Sequence, residues 1–219
     1  MFPHPHHVVL LVALAASACS GLPWSGVDAG SSGTSTGRCQ LPFAGDPRQA
    51  AELEVTVLDE HYRASALLDG GALPMMFPPQ GGRVAFVGVR ARNVDPCQAR
   101  LTGVLRDTMT RQVRLDARTV NLRATDGGWA QSAETNITTF ANIPLCPNQW
   151  TERDLHGNPF DLEVTLEDRD GRHLQQTLRV TPYCAEPESL ADCLCTCRGG
   201  YRLGQSCNVD GGAPDGGGG

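Results

Sequence analysis

Three histidines, His61, His156 and His173, stand in the central part of the chain. None of them is spaced for metal or nucleophile chemistry. A zinc-peptidase helix needs His-Glu-x-x-His, and no two of these histidines are four residues apart. His61 follows Asp59 and Glu60, a setting that any acidic loop supplies, and His173 adjoins a turn and reads as solvated. Glu163 and Glu167 suggest a hydrolytic pair. On a strand they lie about 13 Å apart along one face, beyond the ~6.5–9.5 Å of an inverting glycosidase. Asp168 and Asp170 before Gly171 echo a calcium loop that is too short for the six or more oxygens Ca²⁺ takes. A nucleophile elbow, a P-loop and a dinucleotide fingerprint are all missing from residues 39–184. The reading is therefore no catalytic residue, no metal and no cofactor. The alternative is a hydrolase with a shallow site in the loop around residues 60 to 80, which holds His61.

Guanidinium and thiol chemistry remain. Residues 83 to 123 hold nine Arg against three acids, a balance of +6, while residues 124 to 192 hold four Arg against twelve acids, a balance of −8. Arg90 and Arg92 share a strand face, and Arg106 and Arg114 lie on nearby strands. Together these four form a candidate anion-binding patch for an envelope polysaccharide or another envelope protein. The competing structural expectation is cross-strand pairing between a basic and an acidic sheet, at roughly 0.2–1 kcal/mol per pair. The whole chain carries −6, which argues against a nucleic-acid partner, where a basic surface is expected.

The nine cysteines are Cys19, Cys39, Cys97, Cys146, Cys184, Cys193, Cys195, Cys197 and Cys207. Val8 to Ala16 is an apolar run of nine residues, too short for a membrane span of ~20 and suited to the core of a signal peptide. Ala16-Ser17-Ala18-Cys19 follows it and resembles the lipobox of bacterial lipoproteins. The resemblance implies removal of residues 1–18, a diacylglycerol on the Cys19 thiol, and a membrane partner reached through that lipid. Ser20, in place of a retaining Asp, implies sorting to the outer membrane. Residues 19–38 then form the lipidated linker. Gly, Ser and Thr supply 12 of the 19 residues from 20 to 38, a flexible coil with a reach of roughly 25 Å.

With Cys19 set aside, eight cysteines remain, and in an exported chain an even number reads as disulfides. Cys39, Cys97, Cys146 and Cys184 frame a body over 39–184. Cys193, Cys195, Cys197 and Cys207 crowd into a tail over 185–219 whose last nine residues hold six Gly. Cys195-Thr196-Cys197 with Gly200-Tyr201 and Cys207 resembles the closing hairpin of an epidermal-growth-factor-like module. Cys-x-Cys-x-Cys also suits a soft metal ion, but the oxidising compartment and the lack of a nearby His favour a local disulfide knot. Such a tail is expected to be dispensable for the fold of the body.

The elements that position these residues read as strands. Leu53, Val55 and Val57 alternate with polar residues, as do Leu162, Val164 and Leu166 before an Asp-Arg-Asp-Gly turn and a return over Leu174 to Val180. Arg83 to Arg92 reads as a strand buried on much of both faces. Residues 60 to 82, rich in Pro and Gly, read as a loop with at most one short strand. A phase slip at Arg118 and Thr119 marks two strands or one bulged strand. The sum is an all-β, immunoglobulin-like β-sandwich of about eight or nine strands with a short disulfide-rich tail. Strict alternation of strand direction places Cys97 and Cys146 at one end with Cys39 and Cys184. Parity permits bonding among these four without choosing the partners, so the two other pairings stay open. The pairs expected are Cys97–Cys146 and Cys39–Cys184.

Overall fold

The computed structural model describes residues 39–207. The signal segment 1–18, Cys19, the linker to residue 38 and the Gly-rich 211–219 lie outside the described residues. Eleven strands occur in the described part: β1 (Glu52–Leu58), β2 (Ala64–Ala66), β3 (Gly71–Met75), β4 (Arg83–Arg92), β5 (Ala99–Asp107), β6 (Val113–Val120), β7 (Arg123–Ala124), β8 (Trp129–Gln131), β9 (Ala141–Cys146), β10 (Phe160–Glu167) and β11 (His173–Cys184). They form two sheets. One runs β2-β1-β4-β8-β7 with β9 also on β4, and the other runs β3-β11-β10-β5-β6. The body is all-β.

The alternation read from the sequence builds the core. Side chains on a strand point to opposite faces in turn, so Val55 and Val57 of β1 meet Leu162, Val164 and Leu166 of β10 and Leu178 and Val180 of β11 in one buried cluster. β4 is buried on both faces. Ala85, Val87, Val89 and Ala91 enter that core, while Phe86, on the other face, joins Leu58, Met76, Phe140 and Ala185 in a second cluster. Gly88 shares the Phe86 face, and a Cβ there would lie 2.5 Å from the Phe140 ring and 2.9 Å from the Ser132 side chain. Gly88→Ala is expected to destabilise the fold by about 1–3 kcal/mol through overpacking. A urea midpoint equal to that of the unsubstituted chain would show that Phe140 moves aside freely.

Three features depart from simple alternation and explain why eleven strands stand where eight or nine were expected. The Pro-rich stretch supplies both β2 and β3, and β3 pairs parallel to β11, from Gly71 opposite Val180 to Met75 opposite Cys184. Pro74 is tolerated there because β3 is an edge strand that has no ladder to continue on its outer side. The phase slip near Arg118 is not a reversal, because β6 runs unbroken to Val120 and the chain passes onward in the same direction into β7 of the other sheet. Lastly, β8 and β9 both run antiparallel to β4 along the same edge, Trp129 opposite Arg92 and Ala141 opposite Val87, and act as one interrupted strand.

Between Cys97 and Cys146 the chain therefore makes three directional passes, not four. Cys146 lies opposite Arg83, where β4 begins, whereas Cys97 lies beyond Arg92, where β4 ends. The ten residues of β4 separate these ends by about 30 Å, far outside the ~7 Å Cα limit for a disulfide. The expected pairs Cys97–Cys146 and Cys39–Cys184 are both corrected for this reason. The observed disulfides are Cys39–Cys97 (Cα–Cα 5.5 Å), Cys146–Cys197 (5.1 Å), Cys184–Cys193 (6.0 Å) and Cys195–Cys207 (5.8 Å).

The tail is corrected as well. It forms a short helix, α1 (Leu190–Thr196), not a growth-factor-type hairpin. Cys193 and Cys197 lie one helical turn apart and so share a face. That face is turned to the body, where it bonds Cys184 and Cys146, while Cys195 between them points away to Cys207. Leu155 N–H donates to the Cys197 carbonyl (3.0 Å) and Asn148 N–H to the Thr196 carbonyl (2.8 Å). Disulfides and backbone hydrogen bonds thus cross residue 184 and tie the tail to the body.

Candidate functional site

The four expected anion-binding arginines do not converge. Arg90 and Arg92 of β4 stand directly opposite Glu54 and Glu52 of β1. Arg90 Nη1 donates to Glu54 at 2.8 Å and Arg92 Nη2 to Glu52 at 2.6 Å. Both guanidiniums also stack on the Trp129 ring, 4.1 and 5.0 Å from its centroid. Arg106 lies on the other sheet, 3.6 Å from Glu163. Arg114 is opposite Leu105 on the core side of that sheet and lies 5.8 Å over the Trp150 ring. Opposed residues share a face and neighbours along a strand do not, so Arg106 and Arg114 point to opposite sides. Cross-strand pairing is the arrangement present, but for Arg90 and Arg92 the acids come from β1 and not from the acidic stretch after residue 124.

Ion pairing recurs elsewhere, some of it between near neighbours in the chain, as in Arg48–Asp46 and Arg63–Asp59. Twelve arginines lie within 4.0 Å of a carboxylate. Among the described residues Arg100, Arg114, Arg123, Arg198 and Arg202 have no such partner. Two of these five share one place. Arg198, Gly199, Gly200, Arg202, Leu203, Gly204 and Gln205 line an open cavity of about 600 Å³ at the tail end of the body. The Cys195–Cys207 disulfide closes this loop at its base. Gly199 N–H donates to Asp154 at 2.8 Å and Tyr201 Oη donates to the Gln205 carbonyl at 3.0 Å. The sequence reading passed over Arg198 and Arg202. Two guanidiniums in a Gly-rich loop bracketed by cysteines were the available signal.

The histidines are dispersed. His156 Nδ1 accepts the Cys184 N–H at 3.1 Å and so fastens the end of β11. His61 is exposed, with Nε2 4.0 Å from Glu60. Glu60, His61, Glu186, Pro187 and Glu188 line a cleft of about 380 Å³ beside the 60–80 segment, where the hydrolase alternative would sit. Its Glu186 carboxylate is engaged elsewhere, accepting the Phe77 N–H at 3.0 and 3.2 Å and facing Arg83 at 3.5 Å. The Tyr183 phenol is pushed above its ordinary pKa by burial and by the charges of Glu60 and Asp59. Asp168 is buried and organises its own turn, accepting N–H groups from Asp170 at 3.0 Å and Arg172 at 2.9 Å, and it also receives the Asp95 N–H at 3.0 Å. Glu163 serves Arg106, and His173 opens β11 opposite Glu167. Among the described residues no three His, Cys, Asp or Glu side chains gather to hold a metal ion.

Comparison of the chain with protein-family models, curated proteins and solved structures gives no match. The functional reading therefore rests on the residues themselves.

Proposed function

We propose that this protein is a lipid-anchored module of the cell envelope, sorted to the outer membrane, that binds or buttresses an envelope component and does not catalyse a reaction. Its body is read as a β-sandwich of the immunoglobulin-like class. Two largely antiparallel sheets around one core support that reading. The partners it implies are the membrane, through the lipid, and an envelope polysaccharide or another envelope protein.

The observation that carries the anchor is the cysteine arithmetic. Eight cysteines close four disulfides, and Cys19 is the ninth, standing at the end of Ala16-Ser17-Ala18-Cys19. Four disulfides also fit an oxidising compartment outside the cytoplasm. Within the body, Cys39 and Cys97 tie the start of the described chain to the end of β4, so that a pull along the linker enters through a covalent staple.

Cys19→Ala is expected to release the protein from the membrane fraction or to leave an unprocessed precursor. Fractionation with metabolic labelling by a fatty acid reads both outcomes. A variant that is processed normally and retained in the membrane would overturn the proposal.

A further inference from the structure

We infer that the disulfide-closed loop around residues 198–205 is a binding site for an anionic polysaccharide, held through Arg198 and Arg202. The inference deepens the envelope-binding proposal and rests on it for the location of the partner.

The first argument is charge. Most guanidiniums in this molecule are matched to carboxylates, and a matched guanidinium has little left to offer an anion. Arg198 and Arg202 are exposed and, among the described residues, unmatched. They line the same cavity, whose lining residues include no Asp or Glu; the nearby Asp154 carboxylate is taken up by the Gly199 N–H, and Glu152 lies beside Gly200. A guanidinium binds carboxylate or phosphate oxygens through two parallel N–H donors, and two of them on one concavity fit a repeating anion.

The second argument is rigidity. Exposed arginines on a mobile loop lose entropy on binding, whereas a preorganised site loses less. Here Cys195–Cys207 closes the loop and Cys146–Cys197 pins its start to β9. Gly200 N–H donates to the Thr151 carbonyl at 3.4 Å and Gln205 N–H to the Arg202 carbonyl at 3.0 Å. Gly199 is required for this seat, because a Cβ there would lie 2.1 Å from the Glu152 carbonyl oxygen.

The third argument selects a polysaccharide over a bilayer. Leu203 is the single large apolar side chain in the lining. It suits the apolar face of a sugar ring, whereas docking on lipid buries an extended apolar surface. The cavity also lies at the Cys146 end of the body, opposite the end where Cys39 is bonded to Cys97. On the anchoring proposal, that is the end farther from the point of attachment.

Affinity electrophoresis of the full-length protein in detergent tests the site. The probes are polygalacturonate for the carboxylate source, phosphorylated dextran for the phosphate source, and neutral dextran. The expected result is retardation by at least one polyanion, weakening with added salt and at least about tenfold weaker in Arg198→Gln/Arg202→Gln. Arg100→Gln/Arg123→Gln, which removes two unmatched guanidiniums elsewhere, should bind as the unsubstituted chain does. Whichever polyanion binds identifies the anion. Equal binding by both double variants, equal retardation by dextran, or no retardation by either polyanion would overturn the site. The anchor is read separately: membrane retention of a normally processed Cys19→Ala chain would remove the anchoring proposal and leave this result standing.

Discussion

A chain ended after Cys184 is expected to melt on the order of 15 °C or more below the full-length protein, each lost kcal/mol counting for roughly 2–4 °C in a chain of this size. Two effects combine. The Cys146–Cys197 disulfide joins positions 51 residues apart, and closing a loop of that length stabilises by about 4 kcal/mol on the chain-entropy account. Its loss, with that of Cys184–Cys193, leaves Cys146 and Cys184 as thiols. The second effect is electrostatic. Arg83 is 1% exposed at the start of β4, and its partners come from the tail: the Ser189 carbonyl at 3.2 Å, Asp192 at 3.1 Å and Glu186 at 3.5 Å. Truncation removes all three and leaves a guanidinium against the Phe77 ring, 4.7 Å from its centroid. A charge stripped of its partners costs up to about 3–5 kcal/mol where it stays buried and less as the opened slot admits water, against the 5–15 kcal/mol that holds a typical domain. Adding Arg83→Met to the truncated chain should recover part of the loss, since a thioether fills the slot without a charge. Melting by far-ultraviolet circular dichroism measures both. A truncated chain that melts within a few degrees of the full-length protein would show that the tail only decorates the body.

The strands that proved legible are those whose information is local. Leu53-x-Val55-x-Val57 and the Asp-Gly hairpin carry their period and their turn within a few residues, and β1, β10 and β11 lie where that pattern puts them. The apolar density of β4 announced burial on both faces. What stayed hidden depends on distant partners. β3 contains Gly71 and Pro74, and nothing within Gly71–Met75 signals a parallel ladder with residues more than a hundred positions later. The continuation of β6 into β7 and the collinearity of β8 and β9 are set by which edge of β4 is vacant, which a segment read alone does not contain. The first of these reverses the parity on which the disulfide expectation stood. Arg90 and Arg92 were legible as a shared face, yet their partners were sought by charge balance between segments. Register decides pairing, and Glu52 and Glu54 on β1 are the residues it delivers. In the tail, Cys193 and Cys197 needed only the helical period to be grouped apart from Cys195, but the helix itself was not anticipated in a segment so dense in cysteine.

Asp107→Ala is expected to destabilise the protein by about 3 kcal/mol at neutral pH. Asp107 closes β5 and is fully buried. Its carboxylate accepts the N–H groups of Met109 at 2.8 Å and Thr110 at 3.3 Å and the hydroxyl of Thr151, and Arg153 lies 3.7 Å away. It thus joins the β5–β6 turn to the segment that seats the tail. Burial alone would push this carboxyl up, but the hydrogen bonds from Thr151, Met109 and Thr110 outweigh it and hold the group below the usual carboxylate range. An acid whose folded pKa lies below its unfolded value of about 3.9 contributes fully above that value, and the contribution fades as pH falls through the folded pKa. The difference between Asp107→Ala and the unsubstituted chain should accordingly be largest near pH 7 and shrink as the pH drops below about 4. Asp107→Asn keeps the shape and one acceptor oxygen but removes the charge, and it should fall between the two at pH 7. Urea unfolding across this pH range separates the cases. A destabilisation by Asp107→Ala that stays constant from pH 7 into the acid range would mean that Asp107 acts by filling space and not as a hydrogen-bonded carboxylate.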